Sequence, residues 1–343
     1  NKATHSAGNS HPLGPGRRND SVKLFVLSLI LLWGGYALAD PPGTPASANA
    51  GHRAALLENS LEALDARRFV ISGDRPFVSV YSLGEDRIGY LIGAELVRAA
   101  KEGRKPRLIL DRMSVGNSHG VSWEYLSYLQ AEGVEIRLHR PPSIRGIVRR
   151  GFGQLNQRMH SKVITNASGE MVTGGRNLRE EYFNLSPELD NQHHDIDALV
   201  KGKASLDGRA YQELLWKSDV TEPLRPHRLR PHEIAGFQKK HGEAMAYFVD
   251  NGLIPEAPRK WTTRLRPIED AKFIFDHQLP ENGRYAGSQD SLVDLLRMAE
   301  PGEELLMENQ YFIPDKELVA EFKAAADRGV KVKVLANGWE ARF

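Results

Sequence analysis

The chain of 343 residues contains no cysteine. This absence excludes thiolate catalysis, cysteine-ligated zinc or iron–sulfur sites, and disulfide bonds. A charge excess is missing too, because 46 basic and 44 acidic side chains leave a formal net charge of +2. No global basic field therefore favours a nucleic-acid partner, and any basic patch must be local. The length and the hydrophobic fraction of 41% are those of a globular protein with room for two domains.

The apolar run near the N-terminus is also short for a membrane span. The apolar stretch 24–32 is short against the roughly 20 residues of a spanning helix. A basic segment ending at Lys23 precedes it, and the small residues Ala37 and Ala39 follow. This order of charged, apolar and small residues is typical of a secretory signal.

We therefore expect residues 1–39 to be a signal peptide, with an uncleaved membrane anchor as the alternative. Residues 40–57, which begin with a stretch rich in proline, alanine and serine, are predicted to be a flexible tether. Both readings place the protein outside the cytoplasm, in the periplasm or another extracytoplasmic space. The second reading adds attachment to the inner membrane.

Strand and helix patterns alternate through the predicted first lobe, residues 58–222. Helical spacing of apolar residues marks segments 58–68, 90–101 and 123–132, and β-forming residues mark segments 76–81, 107–110 and 134–138. This alternation predicts an α/β layer with largely parallel strands.

The C-terminal part repeats this order. Ala99–Gly103 aligns with Ala325–Gly329, an offset of 226 residues, which predicts two similar lobes. Residues 223–268 are predicted to be a linker that contains a helix, and residues 269–343 the start of the second lobe. A second copy of the motif described below would begin near position 386, 226 residues after His160. We therefore expect the second lobe to be truncated.

The most informative motif begins at His160. On an apolar, strand-like run, His160 and Lys162 are two residues apart and point to the same side. A turn and a second apolar run follow, and Gly174 and Gly175 then bring Asn177 near the same place. A nucleophile, a fixed positive charge, bare backbone and an amide donor are what a bound phosphodiester needs. The pattern indicates half of a phosphoryl-transfer site.

Each residue type suits one task. A neutral His160 can attack phosphorus and form a phosphohistidine. Lys162 would offset charge on the non-bridging oxygens. Asn177 and the backbone amides near Gly174 and Gly175 would donate hydrogen bonds, since glycine lets the backbone come close. A separate acid must protonate the leaving alcohol.

Simpler readings stay open beside this one. The glycine pair alone could be a strand-end turn. His193 and His194, next to Asp195, could suggest a metal site, but adjacent histidines on a strand point to opposite faces. Segment 143–152, which mixes basic and apolar residues, could lie on an anionic membrane surface or be a solvated basic loop.

The residues from His160 to Asn177 resemble the first HxKxxxxD signature of the phospholipase D superfamily. The extended form, Gly174–Phe183, is similar to bacterial cardiolipin synthases of the C type. Asp195 and Asp197 resemble the acidic strand of these families, and Glu308–Pro314 resembles the start of their second half. The resemblance covers roughly residue 76 to the end of the chain.

This resemblance implies a phospholipase D-like fold with two α/β lobes, whose mixed, mostly parallel sheets are flanked by helices. It implies phosphatidyl transfer or phosphodiester hydrolysis through a phosphohistidine at His160, without a metal or cofactor. The partners would be a membrane surface and an anionic phospholipid such as phosphatidylglycerol. Asp195 would hold the histidine of the second motif in its tautomer, and that histidine would be the acid.

One position departs from the family pattern. The signature aspartate belongs five residues after the lysine, where this chain has Ala167; the adjacent Asn166 faces the other side of a strand. Two alternatives therefore accompany the enzyme reading. One is a phospholipase D-like nuclease, against which the near-neutral net charge counts. The other is a catalytically degenerate membrane-surface binding protein, which Ala167 and the missing second motif favour.

Overall fold

The computed structural model describes residues 51–116, 120–139, 159–185, 193, 195–268, 271–275, 277–278, 285–286, 288–309 and 314–336. The predicted signal segment, most of the predicted tether and the basic segment 143–152 lie outside these ranges. None of the described helices combines the length and apolar character that crossing a bilayer requires.

A nine-stranded mixed sheet organises the first lobe. Its strands are β1 Arg53–Leu57, β2 Phe77–Val80, β3 Arg107–Asp111, β4 Glu135–His139, β5 Lys162–Thr165, β6 Glu170–Gly174, β7 Asp197–Lys201, β8 Thr221–Pro223 and β9 Arg266–Pro267. They lie in the order β8-β4-β3-β2-β5-β6-β7-β1-β9. The mixed α/β fold class is confirmed.

Fewer strands of this sheet are parallel than the sequence predicted. Strands β2, β3 and β4 are parallel neighbours, and the other described pairings of the sheet are antiparallel. The reason is partly connectivity: the short turn between β5 and β6 is a hairpin, and a hairpin joins antiparallel strands.

The described part of this lobe has five helices: α1 Ser60–Ile71, α2 Arg87–Lys101, α3 Trp123–Ala131, α4 Lys203–Lys217 and α5 Pro231–Asp250. Helix α5 packs against α2 and α3. The first three begin at side chains that accept hydrogen bonds from the first helical turn, namely Asn59, Asp86 and Ser122. The helices predicted in segments 58–68, 90–101 and 123–132 are confirmed. Gln212 of α4, fully buried, donates to the carbonyls of Phe77 and Val163 and so ties β2 to β5.

The predicted tether is wrong for residues 53–57, which form β1. This strand pairs with β7 along its whole length and with β9 at its start. Its sequence, Arg-Ala-Ala-Leu-Leu, contains no β-branched residue, so its strand character comes from the neighbouring strands rather than from local propensity.

The predicted linker, residues 223–268, forms part of the first lobe's core. Phe237 and Phe248 of α5 are buried in the main hydrophobic cluster together with Trp261. The Trp261 indole donates to the buried Asp65 carboxylate, 3.0 Å away. The proline-rich stretch after α5 is thus held by packing, because its aromatic residues fill the core.

The second lobe contains α6 Ser288–Met298, β12 Glu304–Asn309, α7 Lys316–Asp327 and β13 Lys331–Ala336; a short ladder, β10 His277–Gln278 and β11 Tyr285–Ala286, precedes it. Strands β12 and β13 are parallel, as β2 and β3 are. Both α2 and α7 end at a glycine with positive φ, 77° at Gly103 and 92° at Gly329. The repeat is therefore visible in structure. Residues 271–275 form no strand, and Phe273 and Phe275 pack against Tyr211 of α4.

Candidate active site

Polar side chains gather along one edge of the large sheet, where the parallel strands end and β5 begins. Lys162 pairs with Val80, the last residue of β2, so His160 and Tyr81 lie just beyond the strand ends. Asp111 and His139, which are paired, close β3 and β4 at the same edge. In open α/β sheets, ligands bind outside the carboxyl ends of the parallel strands.

His160 presents an exposed imidazole at this edge. Its ring lies 5.3 Å from the Tyr81 ring, centroid to centroid. Desolvation by the surrounding protein and then the Lys162 charge lower the pKa of His160 to about 4, and Asp111 opposes them. The imidazole is therefore neutral at pH 7 while it keeps contact with solvent, which is the state that a histidine nucleophile needs.

Lys162 is the buried cation of the site, with 5% of its surface exposed. Its Nζ donates to the His160 carbonyl, 2.9 Å away, and lies 5.8 Å from the centre of the Tyr81 ring. Burial lowers the pKa of Lys162 to about 7, and the Asp195 carboxylate opposes this shift. The structure thus brings both motif residues to the same aromatic ring.

The glycine pair makes room for two carboxylates. A Cβ on Gly174 would lie 2.0 Å from Oδ1 of Asp197, and a Cβ on Gly175 would lie 1.8 Å from Oδ1 of Asp195. Real Cβ atoms do not approach other atoms so closely, so the close packing of these aspartates requires glycine. Hydrogen-bond donation from the glycine backbone to a phosphate stays a prediction.

Asn177 is buried, with 3% of its surface exposed. Its Oδ1 accepts a hydrogen bond from the backbone N–H of Ser82, 3.3 Å away, and its side chain also bonds the Tyr182 phenol. The carboxamide is therefore fixed against the loop that follows β2. A contact between its NH2 group and a phosphate oxygen stays a prediction.

Asp195 is half-buried beside Gly175. Burial and the neighbouring Asp197 raise the pKa of Asp195, whereas Arg176, Lys162 and His193 oppose the shift. The structure thus couples this carboxylate to the cation of the motif. Its contact with the histidine of a second motif stays a prediction.

Arg176, inside the motif, serves the fold. It is 1% exposed and donates to Asp197, 2.6 Å away, while Arg67 binds the same carboxylate through two bonds of 2.9 Å. Arg176 also donates to the carbonyls of Tyr182 and Glu58. This buried network joins α1, β7 and the segment after β6. The sequence alone did not distinguish the structural role of Arg176 from the roles of its neighbours in the motif.

Ala167 lies at the opposite end of β5 from Lys162, in the hairpin turn. Its N–H donates to the Asp74 carbonyl, 2.8 Å away, and the side chain of Asn166 accepts from the N–H groups of Ser168 and Glu170 within the same turn. At about 3.3 Å per residue along a strand, this position is on the order of 15 Å from Lys162. The missing signature aspartate therefore affects the hairpin rather than the atoms near His160.

Sequence reasoning missed two site residues, Tyr81 and Asp111. The Tyr81 ring lies near both the imidazole and the ammonium, and Asp111 adds a buried carboxylate. Both stand at the carboxyl ends of strands that the sequence predicted to be parallel, which is the signal that could have found them. Within the described ranges, no three histidine, aspartate or glutamate side chains are grouped to hold a metal ion; His194 lies outside those ranges.

No protein-family model matches the chain. It is similar to cardiolipin synthase C of Escherichia coli K12, with 28% identity over 308 residues, which cover 83% of the chain and 62% of that protein. It is also similar to an uncharacterised protein of Helicobacter pylori strain J99, with 25% identity over 311 residues, which cover 84% and 60%. The chain spans about three fifths of the length of these curated relatives.

Among solved structures, phosphatidylserine synthase of Haemophilus influenzae Rd KW20 is similar, with a TM-score of 0.53 and 12% identity. The match covers 83% of this chain and 61% of that one, and at this identity it shows a shared fold. The motif, the fold and the sequence relatives agree in a similarity to the phospholipase D superfamily.

Proposed function

We propose that the chain carries the nucleophile half of a phospholipase D-type enzyme that transfers phosphatidyl groups on phospholipid headgroups, as a cardiolipin synthase does. The observation that carries this proposal is the neutral, exposed imidazole of His160 beside the buried ammonium of Lys162. The relatedness to cardiolipin synthase C supports a phospholipid substrate. The net charge of +2 counts against nucleic acid, whose binding depends on many phosphate contacts.

In the first step, a ring nitrogen of His160 attacks the phosphorus of an anionic lipid such as phosphatidylglycerol. A phosphorus–nitrogen bond forms, and the bond from phosphorus to the glycerol oxygen breaks. The leaving oxygen takes a proton from an acid, which the family resemblance assigns to the histidine of the second motif. Lys162 offsets the charge that accumulates on the non-bridging oxygens.

In the second step, a hydroxyl group gives its proton to the same second-motif histidine and attacks the phosphohistidine; an oxygen–phosphorus bond forms, and the phosphorus–nitrogen bond breaks and frees the imidazole. The glycerol hydroxyl of a second phosphatidylglycerol yields cardiolipin, so the balanced products are one cardiolipin and one glycerol. Water instead yields phosphatidic acid and glycerol. Export through the N-terminal segment and action at a membrane face belong to the same proposal.

The test is turnover by the full-length protein of vesicles that contain phosphatidylglycerol with a labelled glycerol headgroup. We expect release of labelled glycerol with formation of cardiolipin. His160→Ala is expected to abolish release, whereas His232→Ala, which replaces an exposed histidine on α5, serves as the matched control. Phosphatidic acid as the only lipid product would establish a hydrolase.

A trapping experiment tests the intermediate separately. After quenching at alkaline pH, where phosphohistidine persists, mass spectrometry should find a phosphatidyl adduct on the peptide that contains His160. Unchanged lipid and no adduct with the wild-type protein would contradict the proposal. Cleavage of DNA in a parallel assay would then establish the nuclease.

A further inference from the structure

Asp111 is a buried acid that the proposed mechanism leaves without a task. It ends β3 at the edge of the sheet where His160 lies, and 1% of its surface is exposed. Removing a carboxylate from water costs free energy unless hydrogen bonds replace the lost solvation. The structure supplies them: Oδ1 accepts from the N–H of Met113, 2.9 Å away, and Oδ2 accepts from the N–H of Met159, 2.7 Å away.

The second of these bonds joins positions that are 48 residues apart in the chain. It fixes the peptide group that enters Met159, the residue before the candidate nucleophile. The Met159 side chain is anchored as well, because it is 2% exposed and packs with Phe77 and Ile109. On the other side of the imidazole, the His160 carbonyl accepts the hydrogen bond from Lys162. The main chain of Met159 and His160 is thus fixed at its N–H end by the Asp111 carboxylate and at its carbonyl end by the Lys162 ammonium.

The Asp111 carboxylate also acts on the imidazole through its charge. Among the described residues, the charged or titratable groups near this part of the site include Lys162, Asp111, His139 and Tyr81. The Nδ1 of His139 lies 3.5 Å from Oδ2 of Asp111, and it has no hydrogen-bond partner within the described part of the chain. Asp111 stabilises a protonated His160, whereas Lys162 disfavours it. The Asp111 carboxylate therefore fixes the main chain next to His160 and also adds a negative charge near its imidazole.

We propose that Asp111 is the positioning residue for His160: its carboxylate holds the chain at Met159, next to the imidazole. This inference rests on the proposed function, because positioning has a purpose only if His160 attacks a substrate. It predicts that loss of Asp111 lowers the rate of attack more than it weakens substrate binding.

Two variants separate anchoring from charge. Asp111→Ala removes both, and Asp111→Asn keeps an acceptor but removes the charge. The matched control is Asp74→Ala, since Asp74 is an exposed aspartate whose main chain contacts the hairpin at the far end of β5. With phosphatidylglycerol vesicles as substrate, we expect Asp111→Ala to lower kcat by about 10- to 100-fold with KM within about twofold of wild type.

Asp111→Asn should shift the acid limb of the kcat/KM profile to lower pH, because a protonated imidazole loses its stabilising neighbour. A purely structural acid would leave this limb unmoved. A kcat for Asp111→Ala equal to that of the control, or an unmoved acid limb for Asp111→Asn, would overturn the proposal.

Two measurements do not need turnover. Hydrogen exchange of the Met159 amide should be slow in wild type and at least about 10-fold faster in Asp111→Ala, since a bond to a charged acceptor is lost. Acylation of His160 by diethyl pyrocarbonate, followed by peptide mass spectrometry, should persist to lower pH in Asp111→Asn. If wild type converts no lipid, the proposed function fails while these two measurements still decide the role of Asp111. If the variants do not fold, fast exchange of the Met159 amide in wild type would by itself overturn the anchoring.

Discussion

The ammonium of Lys162 donates a hydrogen bond to the backbone carbonyl of His160, 2.9 Å away. The cation of the motif therefore fixes the main chain of the nucleophile while it faces the same aromatic ring, that of Tyr81. One of its three N–H groups is used in this bond. The remaining donors are what a phosphate oxygen would meet, so loss of the lysine affects both geometry and charge.

Lys162→Ala is accordingly expected to abolish turnover while the protein stays folded. Removing one positioned charge-stabilising group lowers kcat by about 10²- to 10³-fold. Labelled glycerol release and circular dichroism measure the two quantities. The control is Lys239→Ala, an exposed lysine on α5, which should keep full activity. Full activity of Lys162→Ala would show that the motif is wrongly assigned.

The pH dependence of kcat/KM should be bell-shaped. Attack requires a neutral His160, whose pKa is lowered to about 4, so activity is lost as the pH falls through that value. Charge stabilisation requires a protonated Lys162, whose pKa is lowered to about 7, so activity is lost as the pH rises through 7. The profile reports the groups of the free enzyme. A rate that stays constant from pH 5 to 9 would contradict the role of the lysine.

Gly175→Ala should impair the site without unfolding the lobe. The added methyl group would stand 1.8 Å from Asp195, so the carboxylate must move and its interaction with Lys162 changes. We expect a loss of about 1–3 kcal/mol in the free energy of unfolding from overpacking, and a drop in kcat/KM of about 10-fold.

Gly236→Ala is the comparison for that variant. Nothing lies within 4 Å of the added atom, on a helical residue of α5. It should be neutral in the lipid assay and stabilise the protein by about 0.5–1 kcal/mol, because alanine is the better helix former. Equal activity losses in both variants would point away from the Asp195 contact.

Arg176→Ala should reduce stability. It leaves the buried Asp197 with Arg67 as its described ion-pair partner, and breaking a buried ion pair costs about 3–5 kcal/mol. Urea unfolding measures the loss. Arg228→Ala, which replaces an exposed arginine, should stay within about 0.5 kcal/mol of wild type. A stable but inactive Arg176→Ala protein would place this arginine in the chemistry instead.

Ala167→Asp restores the signature aspartate of the family. Because position 167 lies in the hairpin at the far end of β5, turnover should remain within about twofold of wild type, at a distance on the order of 15 Å from Lys162. A large gain in lipid turnover would contradict the separation of the hairpin from the site.

Local signals predicted much of the first lobe. The segments around β2, α2, β3, α3 and β4 were identified within a few residues, because periodicity and terminating glycines such as Gly103 act over one turn. Strand β1 was missed because its residues carry no β-signal of their own and its partners in β7 lie 140 to 148 positions away. The spacing from His160 to Asn177 located the candidate site for the same local reason.

Other features of the site depend on contacts that the sequence does not show. Asp111 joins the motif through one bond to Met159 across 48 residues. Glycine is needed at positions 174 and 175 because Asp197 and Asp195, about twenty positions away, pack closely against them. Arg176 looks like part of the catalytic pattern until its burial against Asp197 is seen. Each of these three features depends on residues that are close in the folded structure but distant in the sequence, so sequence spacing could not predict it.

The direction of β1 bears on how an anchored molecule would be oriented. Arg53 pairs with Lys201 and Leu57 with Asp197, so the chain enters the sheet at the edge farthest from His160 and runs toward it. An anchor retained in residues 1–39 would thus be attached behind the lobe. The thirteen residues from 40 to 52 can extend to about 45 Å, more than twice the length of a strand. If such an anchor is retained, that reach would allow the edge of the sheet that carries His160 to contact the same bilayer.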